Sequence, residues 1–321
     1  PKEDWEQGDE VNVAQMNLSL YGTRDAAMNW AKTFTDFLTE QGFVTGKASP
    51  CNFQHKTKDI AMTVHGDDFT CSAGEVDLAW VKRTMESKFE IKSEVLGPGP
   101  QHSRQIRVLN RVISWTEEGL VYEPDQRHAE IVIRELGLEG AKAANSPGSR
   151  DELNQASSPG DAAAVEVVDE SPPMAPRDAT AYRGIAARPN YLAQDRADIQ
   201  YACKEASRRM ASPREADWLM PKRIARYLIG APRFEQKCVW QNEPAKADAY
   251  TDSDWAGCRS TCRSTSGGAL KLGEHCLKTW SSTQATVALS SAEAELYALT
   301  KGASQVLGLM SLLEDFGVVA S

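Results

Sequence analysis

The sequence predicts an α+β fold, in which amphipathic helices alternate with antiparallel β-hairpins. Two patterns carry this prediction: apolar residues recur at helical spacing in some segments and alternate with polar residues, as in strands, in others. Of the 321 residues, 41% are hydrophobic and 25% are charged, which is typical of a globular protein and excludes collagen-like and fully disordered chains. No apolar run approaches the ~18 residues of a membrane helix, so we expect no membrane partner.

The first predicted helix contains Trp30. On a helix, Trp30 shares one face with Phe34, Phe37 and Leu38, and Gly42 then ends the pattern. The N-terminal region continues, after a hairpin, with a second apolar helical stripe at 78–89, two strands within 106–122 and a short helix at 127–136 that Gly137 ends.

A β-hairpin is predicted over residues 59–71, where apolar residues from Ile60 to Val64 alternate with small or polar ones. Asp67 and Asp68 follow Gly66 at its tip. Adjacent carboxylates ~4 Å apart repel by about 1 kcal/mol in water and ~4 kcal/mol at an effective dielectric constant of 20. A divalent cation such as Mg²⁺ relieves this repulsion. The alternative interpretation is an ordinary Asp-containing turn.

Composition divides the chain into four segments, at residues 1–150, 151–176, 177–233 and 234–321. The second is predicted to be an acidic linker, with four prolines and no aromatic residue. The third is helical and carries 12 basic and 6 acidic side chains, although the whole chain has a net charge of −9. Because local fields attract phosphate, this segment is a candidate nucleic-acid face, with a solvated helix face as the alternative. Its candidate binding residues are Arg208, Arg209, Lys222, Arg223 and Arg226.

The last segment is predicted as three strands and a helix. The strands lie at 249–255, 267–272 and 275–281, and Ser290 with Glu293 fits a capping box that begins the helix. Pro221, in the preceding segment, either opens a helix or kinks it.

The C-terminal helix and the first of these strands each carry a candidate metal-binding carboxylate. We expect Glu295 to lie on the helix face that packs against the sheet, next to Leu296 and Leu299, and Asp252 to lie on the strand. The apolar residues assigned to that face are Ala292, Leu296, Leu299 and Ala303. A buried carboxylate is costly unless something neutralises it, so the two residues form half of a metal-binding cluster. The alternative is that Asp252 is solvated and that Glu295 pairs with a basic side chain.

Together these features resemble the polymerase region of copia-type LTR retrotransposons. LYGTRDAAMNW at 20–30 resembles the LYGLKQAPRAW motif, and VHGDDF at 64–69 resembles the YVDD hairpin. The connection of that family, YR…RPDIAYA…KRILRYL, is matched at 182–184, 198–202 and 222–228. Its ribonuclease H motifs YSDADWAG, RRSTSG and VALSSTEAEY are matched at 250–257, 263–267 and 287–297.

The resemblance implies a partial reverse-transcriptase palm and thumb in residues 1–150, followed in residues 234–321 by the N-terminal part of a ribonuclease H-like mixed sheet with helices. By the same resemblance, the catalytic and metal-binding residues would be Asp67, Asp68, Asp252 and Glu295, with Mg²⁺ as the cofactor and Mn²⁺ as a substitute. Residues near the incoming nucleotide or template would be Tyr21, Gly22 and Arg24.

The implied partners are an RNA template, a DNA primer, RNA–DNA hybrid, dNTPs and the rest of the Pol polyprotein. The implied location is intracellular, in a cytoplasmic virus-like particle or in the nucleus. The seven cysteines agree with this location, because an odd number of scattered cysteines indicates reduced thiols. The alternative is a non-catalytic nucleic-acid-binding remnant of a decayed element.

Several positions depart from the family pattern. His65 and Gly66 stand where the YVDD motif has tyrosine and valine, and the D-V-x-x-A-F run of the first palm carboxylate is missing from residues 1–19. Asp315 is interpreted as part of a helix end and not as a further ribonuclease H ligand. We therefore expect both metal sites of the chain to be incomplete and the chain alone to be inactive.

Overall fold

The structure is a computed structural model and describes residues 19–20, 22–148, 171–242, 246–258 and 260–318. The described residues fall into two compact units, one within 1–91 and 311–318 and the other within 92–310. Most of the predicted linker lies outside the described residues, and the predicted segment boundaries stay predictions. Within the described residues, every helix is too short or too polar to cross a bilayer.

The first unit is a four-stranded antiparallel sheet covered by two helices. Its elements are α1 (Ala26–Glu40), β1 (Phe43–Thr45), β2 (Asn52–His55), β3 (Ile60–His65), β4 (Asp68–Ala73) and α2 (Glu75–Glu86), with strand order β1-β2-β3-β4. Strand β3 buries alternate residues, Ile60, Met62 and Val64, against Phe34 and Leu38 of α1. This alternation confirms the predicted hairpin and supplies the surface that the apolar face of α1 requires.

The structure confirms the predicted end of the first helix in this unit and corrects the end of the second. Helix α1 stops at Glu40, and Gly42 follows with φ +97°, which confirms the predicted glycine stop. Helix α2 stops at Glu86, so Phe89 lies beyond it, and the predicted stripe through Phe89 is wrong at its end. The ring of Phe89 still joins the core, because it packs edge-on against Phe37 with ring centroids 5.3 Å apart.

Asp315 belongs to this first unit and is buried. Its carboxylate accepts hydrogen bonds from the backbone N–H groups of Lys47 (2.6 Å), Ala48 (3.0 Å) and Ser49 (2.9 Å). Helix α7 (Ser291–Glu314) ends one residue earlier, which confirms the helix end. Burial alone would raise the pKa of Asp315, but these hydrogen bonds outweigh burial and lower the pKa below its usual value.

The second unit contains two further antiparallel sheets and a group of helices. The first sheet is β5 (Gln105–Val108), β6 (Arg111–Thr116), β7 (Gly119–Glu123) and β8 (Gln236–Val239), and the second has the order β11-β10-β9. The helices are α3 (Arg127–Glu135), α4 (Pro176–Leu192), α5 (Gln200–Arg208), α6 (Leu219–Gly230) and most of α7. The strands of the second sheet are β9 (Ala247–Ser253), β10 (Thr265–Leu272) and β11 (His275–Thr283).

The region predicted as two strands within 106–122 contains three, which corrects the prediction. The extra turn lies at Leu109 and Asn110, which both have positive φ, +47° and +68°. Two consecutive left-handed residues make a tight hairpin turn that Gly or Asn usually signals. A leucine in the first position hides that turn from the sequence pattern. Pro221 lies in the first turn of α6, so it opens the helix, which is one of the two predicted outcomes.

The packing face of α7 corrects a second prediction. Its buried residues include Ala294, Ala298 and Gly302, whereas Leu296 and Leu299 are each 59% exposed. A Cβ atom at Gly302 would overlap with Cγ2 of Thr251 on β9, so the helix and the strand touch through their smallest residues. Close approach favours small side chains over large ones on this face, and the leucines therefore point outward.

The contact between α7 and β9 predicts opposite effects for two glycine substitutions on the same helix. We expect Gly302→Ala to lower the free energy of unfolding by about 1–3 kcal/mol, because the added methyl group overpacks the contact with Thr251. Gly308→Ala meets no atom within 4 Å and is the matched control. It should raise stability by roughly 0.5–1 kcal/mol through helix propensity. Urea unfolding of both variants checks this, and equal stabilisation by both would contradict the close contact.

The carboxylate of Asp315 predicts a pH-dependent contribution to stability. Because folding lowers its pKa, its contribution is complete above the unfolded pKa of roughly 3.9 and is lost as pH falls through the folded pKa. Asp315→Asn should therefore cost about 1–2 kcal/mol at pH 7 and progressively less below pH ~4. The control Asp36→Asn removes an exposed ion pair with Lys32 and should change stability by less than about 0.5 kcal/mol. A cost for Asp315→Asn that does not vary with pH, in urea unfolding, would refute the charged hydrogen bonds.

Candidate functional site

The hairpin tip, residues 65–68, presents two carboxylates to solvent. His65 and Asp68 are paired across the end of the hairpin, and Gly66 and Asp67 form a two-residue turn between them. Gly66 has φ +65° and Asp67 does not have positive φ, which is the pattern of a type II′ turn. Asp67 and Asp68 are both exposed, so their mutual repulsion is partly screened and a cation can reach both.

Helix α1, which precedes the hairpin in the sequence, binds the hairpin tip through Trp30. The indole Nε1–H of Trp30 donates a hydrogen bond of 2.7 Å to the carbonyl oxygen of Gly66. The indole ring packs edge-on against Phe34, Phe69 and Phe89, with ring centroids 5.7, 6.2 and 5.4 Å away. The sequence predicted Trp30 on the apolar face of a helix and at the end of the motif at 20–30, and no spacing rule indicates the bond to Gly66.

The segment predicted near the nucleotide leads directly into α1. Gly22 has φ +92°, and Gly22 and Arg24 are exposed in the turn that precedes Ala26. Trp30 lies in the second turn of the same helix, so this segment enters the helix at the end that contacts the hairpin tip. Tyr21 lies outside the described residues. The assignment of these residues to nucleotide or template stays a prediction.

The second pair of predicted carboxylates lies at the open edge of the β9–β11 sheet. The backbone N–H of Asp254 bonds across to Thr265 on β10, so strand alternation points the N–H of Ser253 toward the open edge. There it donates a hydrogen bond of 3.2 Å to Oε1 of Glu295. Glu295 is thus exposed and caps the edge of β9, and does not lie under the sheet as predicted.

Asp252 is also exposed, on β9 and one residue before the bonded N–H. Because Thr251 faces α7, alternation along the strand directs the Asp252 side chain to the opposite face. Asp252 and Glu295 therefore approach the same edge from the two faces of the sheet. Within the part of the chain that the structure describes, no three acidic, histidine or cysteine side chains converge into a metal-binding group. Among the described residues, each predicted pair therefore supplies two carboxylates and no third acidic, histidine or cysteine ligand.

Asp254 has a structural role that the sequence did not reveal. Its carboxylate accepts a hydrogen bond from the backbone N–H of Thr265, and a Cβ atom at Gly257 would overlap with it. It therefore holds the β9–β10 connection closed. The sequence motif contains both Asp252 and Asp254, and only the structure separates the exposed residue from the connecting one.

Two of the predicted nucleic-acid contacts are held by acidic partners. Arg208 bonds both carboxylate oxygens of Glu205 at 3.0 and 3.2 Å. Arg209 pairs with the buried carboxylate of Asp217 at 3.6 Å. These partners offset the positive charges of Arg208 and Arg209.

Two more of these basic residues bind the chain itself. Arg223 donates to the carbonyl oxygen of Ser146 at 3.2 Å, and Arg226 donates to that of Lys142 at 2.8 Å. Together they hold an irregular segment against helix α6. Lys222 is exposed on the outer face of the same helix. The predicted role of all five residues in nucleic-acid binding stays a prediction.

A cavity of about 450 Å³ lies between the helices α4 and α5 and the strand β11. Its lining includes Asn190, Gln194, Lys204, Ser207, Arg208 and Ser281. Lys204 and Arg208 both pair with Glu205, at 2.7 and 3.0 Å, so the two cations share one anion. The wall of the cavity is therefore polar and carries about one unit of positive charge.

Cys258 lies against Arg208 in an environment that favours its thiolate. Its Sγ accepts hydrogen bonds from Nη2 of Arg208 at 2.7 Å and from the hydroxyl of Thr261 at 2.9 Å. Burial alone would raise the pKa of Cys258, but Arg208 and the hydroxyls of Ser260 and Thr261 lower it to about 7. The sequence contained no signal for this pairing, because the two residues are 50 positions apart.

The contact between Arg208 and Cys258 predicts a reactive thiol. At pH 7 we expect iodoacetamide to label Cys258 faster than the exposed Cys51, and Arg208→Gln to slow labelling of Cys258 by roughly tenfold. Peptide mass spectrometry of labelling time courses measures each site, with Cys51 as the internal control in the same digest. Equal labelling of Cys258 in both proteins would contradict the assigned role of Arg208.

Comparison with known proteins gives relatives over most of the chain. It is 27% identical over 317 residues to the retrovirus-related Pol polyprotein from transposon RE2 of Arabidopsis thaliana, covering 96% of this chain and 20% of that protein. It is 25% identical over 311 residues to the corresponding polyprotein from transposon TNT 1-94 of Nicotiana tabacum, covering 95% of this chain and 22% of that protein.

A shorter match has higher identity. Over 144 residues the chain is 38% identical to the Pol polyprotein from transposon RE1 of Arabidopsis thaliana, covering 44% of this chain and 10% of that protein. No family model and no solved structure matches the chain. The chain spans between a tenth and about a fifth of the length of these three relatives. Over most of its length, the chain is therefore homologous to retrovirus-related Pol polyproteins of copia-like transposons.

Proposed function

We propose that the chain is a polyprotein segment that contributes to RNA-directed DNA synthesis and to ribonuclease H cleavage of RNA–DNA hybrids. The observation that carries this proposal is the pair of adjacent, exposed carboxylates at the end of a tightly closed hairpin. An opposite charge lowers the energy of such a pair, and the hairpin directs both groups outward to where a substrate phosphate could approach.

The donor set at the hairpin tip fits a hard divalent cation. Asp67 and Asp68 supply carboxylate oxygens, which Mg²⁺ and Mn²⁺ prefer, and their exposure leaves room for the water ligands that Mg²⁺ retains. A cation held there would align a phosphoryl group and stabilise the leaving pyrophosphate. Asp67 and Asp68 would hold the cation at the end of a regular hairpin, since β3 and β4 are paired up to His65 and Asp68.

The edge of the second sheet supports the ribonuclease H part of the proposal. Glu295 is kept at β9 by the Ser253 N–H, and Asp252 is exposed at the same edge. Both side chains reach solvent at an edge that has no neighbouring strand among the described residues. In this proposal, both carboxylates contribute to a cation site at that edge together with further ligands supplied there.

Divalent-cation binding tests the proposal directly. We expect Mn²⁺ to bind the wild-type chain, and the double variant Asp67→Asn with Asp68→Asn to bind it at least tenfold more weakly, because two ligand charges are lost. Asp36→Asn, at an exposed carboxylate on α1, is the matched control and should bind like the wild type. The free Mn²⁺ signal in electron paramagnetic resonance measures all three. Equal binding by the double variant would refute the metal role of the hairpin tip.

Primer-extension and hybrid-cleavage assays with Mg²⁺ or Mn²⁺ separate the enzymatic from the non-enzymatic alternative. We expect no turnover by this chain alone, because each site presents two carboxylates. Turnover that disappears in Asp68→Asn or Glu295→Gln would show instead that the sites are sufficient. Hybrid binding that falls steeply with salt but ignores metal and the Asp67 and Asp252 carboxylates would favour a non-catalytic binding remnant.

A further inference from the structure

We propose that Trp30 is a positioning residue for the hairpin tip, and that its indole N–H selects one of two orientations of the peptide between Gly66 and Asp67. The importance of that orientation for metal binding rests on the proposed function of Asp67 and Asp68. The selection itself rests on the hydrogen bond of 2.7 Å between Nε1 of Trp30 and the carbonyl oxygen of Gly66.

The turn at the hairpin tip has an alternative conformation that is close in energy. Two-residue hairpins adopt type I′ or type II′ turns, which interconvert when the central peptide rotates by about half a turn. Here that peptide joins Gly66 to Asp67. Glycine adopts positive φ freely, and aspartate tolerates the left-handed conformation that a type I′ turn requires. The sequence of the turn therefore permits both forms.

Trp30 distinguishes these two forms because it binds the atom that moves. Rotation of the central peptide turns the Gly66 carbonyl over, so the indole N–H keeps its acceptor in only one form. Losing the bond would return an exposed N–H to solvent and remove the contribution of one hydrogen bond, typically about 0.5–1.5 kcal/mol. The observed form has positive φ at Gly66 but not at Asp67, which is the type II′ conformation.

The indole can act as a fixed reference because its own position is constrained. Three aromatic rings, from Phe34, Phe69 and Phe89, pack around it with centroid distances between 5.4 and 6.2 Å. Phe69 directly follows Asp68 on β4, so the ring cluster links the helix to the same strand that carries the carboxylate. Rotating the indole away would break these contacts together with the hydrogen bond.

Two substitutions at position 30 test the selection. Trp30→Phe removes the N–H and part of the ring, and replacement of Trp30 by benzothienylalanine keeps the shape and removes only the N–H. We expect both proteins to exchange the backbone amides of residues 64–70 roughly tenfold faster in hydrogen–deuterium exchange mass spectrometry. We also expect both to bind Mn²⁺ at least threefold more weakly in the resonance titration.

Phe43→Leu is the matched control, because Phe43 is buried in the same core but its ring packs against His55 and Trp80, away from the indole of Trp30. It should lower the denaturant midpoint of unfolding while leaving both the exchange of residues 64–70 and the Mn²⁺ affinity within twofold of the wild type. This result would separate positioning by the N–H from a general effect of core packing.

The outcomes separate this inference from the function on which it rests. Wild-type exchange and wild-type Mn²⁺ affinity in the benzothienylalanine protein would overturn the positioning role, even if Asp68→Asn loses Mn²⁺. Mn²⁺ binding that is the same in the wild type and in Asp67→Asn with Asp68→Asn would instead overturn the proposed metal function. Faster exchange in both position-30 proteins would then still support the selection of the turn.

Discussion

The small residues where α7 meets β9 determine how this helix packs against the C-terminal sheet. Ala294, Ala298 and Gly302 recur every four residues, and Gly302 lies directly on Thr251. Because only this stripe fits the contact, the rotation of the helix about its axis is fixed. That rotation turns the large leucines outward and carries Glu295 to the edge of β9, where it meets a free backbone N–H. A carboxylate at a candidate site is thus placed by an alanine one turn away and a glycine two turns away.

The basic side chains of residues 177–233 bind mainly to groups within the fold. Arg208 and Arg209 are paired with acidic side chains, whereas Arg223 and Arg226 satisfy carbonyl groups of an irregular segment. A guanidinium group suits this task, because its several donors reach backbone oxygens that no regular element satisfies. Basic residues in this segment therefore stabilise the fold, and composition alone does not separate this role from affinity for phosphate.

The sequence predicted the elements whose pattern is local. Alternation from Ile60 to Val64 and the helical spacing that begins at Trp30 were sufficient for the hairpin and for α1, and the capping residues located the start of α7. Prediction from the sequence failed where contacts between residues far apart in the sequence determine the structure. The leucines of α7 are more hydrophobic than its alanines, so a pattern based on hydrophobicity alone chose the wrong face. The bond from Trp30 to Gly66 and the pairing of Arg208 with Cys258 join residues 36 and 50 positions apart, and no spacing rule reaches that far.

The two-residue turn at the hairpin tip also limits how this segment can vary in length. Successive residues of a strand face opposite sides, so one residue inserted between His65 and Asp68 would force a bulge or shift the register of β3 against β4. A shift would move Met62 and Val64 out of the core together. Substitutions at the tip change its chemistry and leave the sheet intact, whereas insertions and deletions there disturb the sheet itself. Length polymorphism is therefore expected to be rarer than substitution at these four positions among copies that still fold.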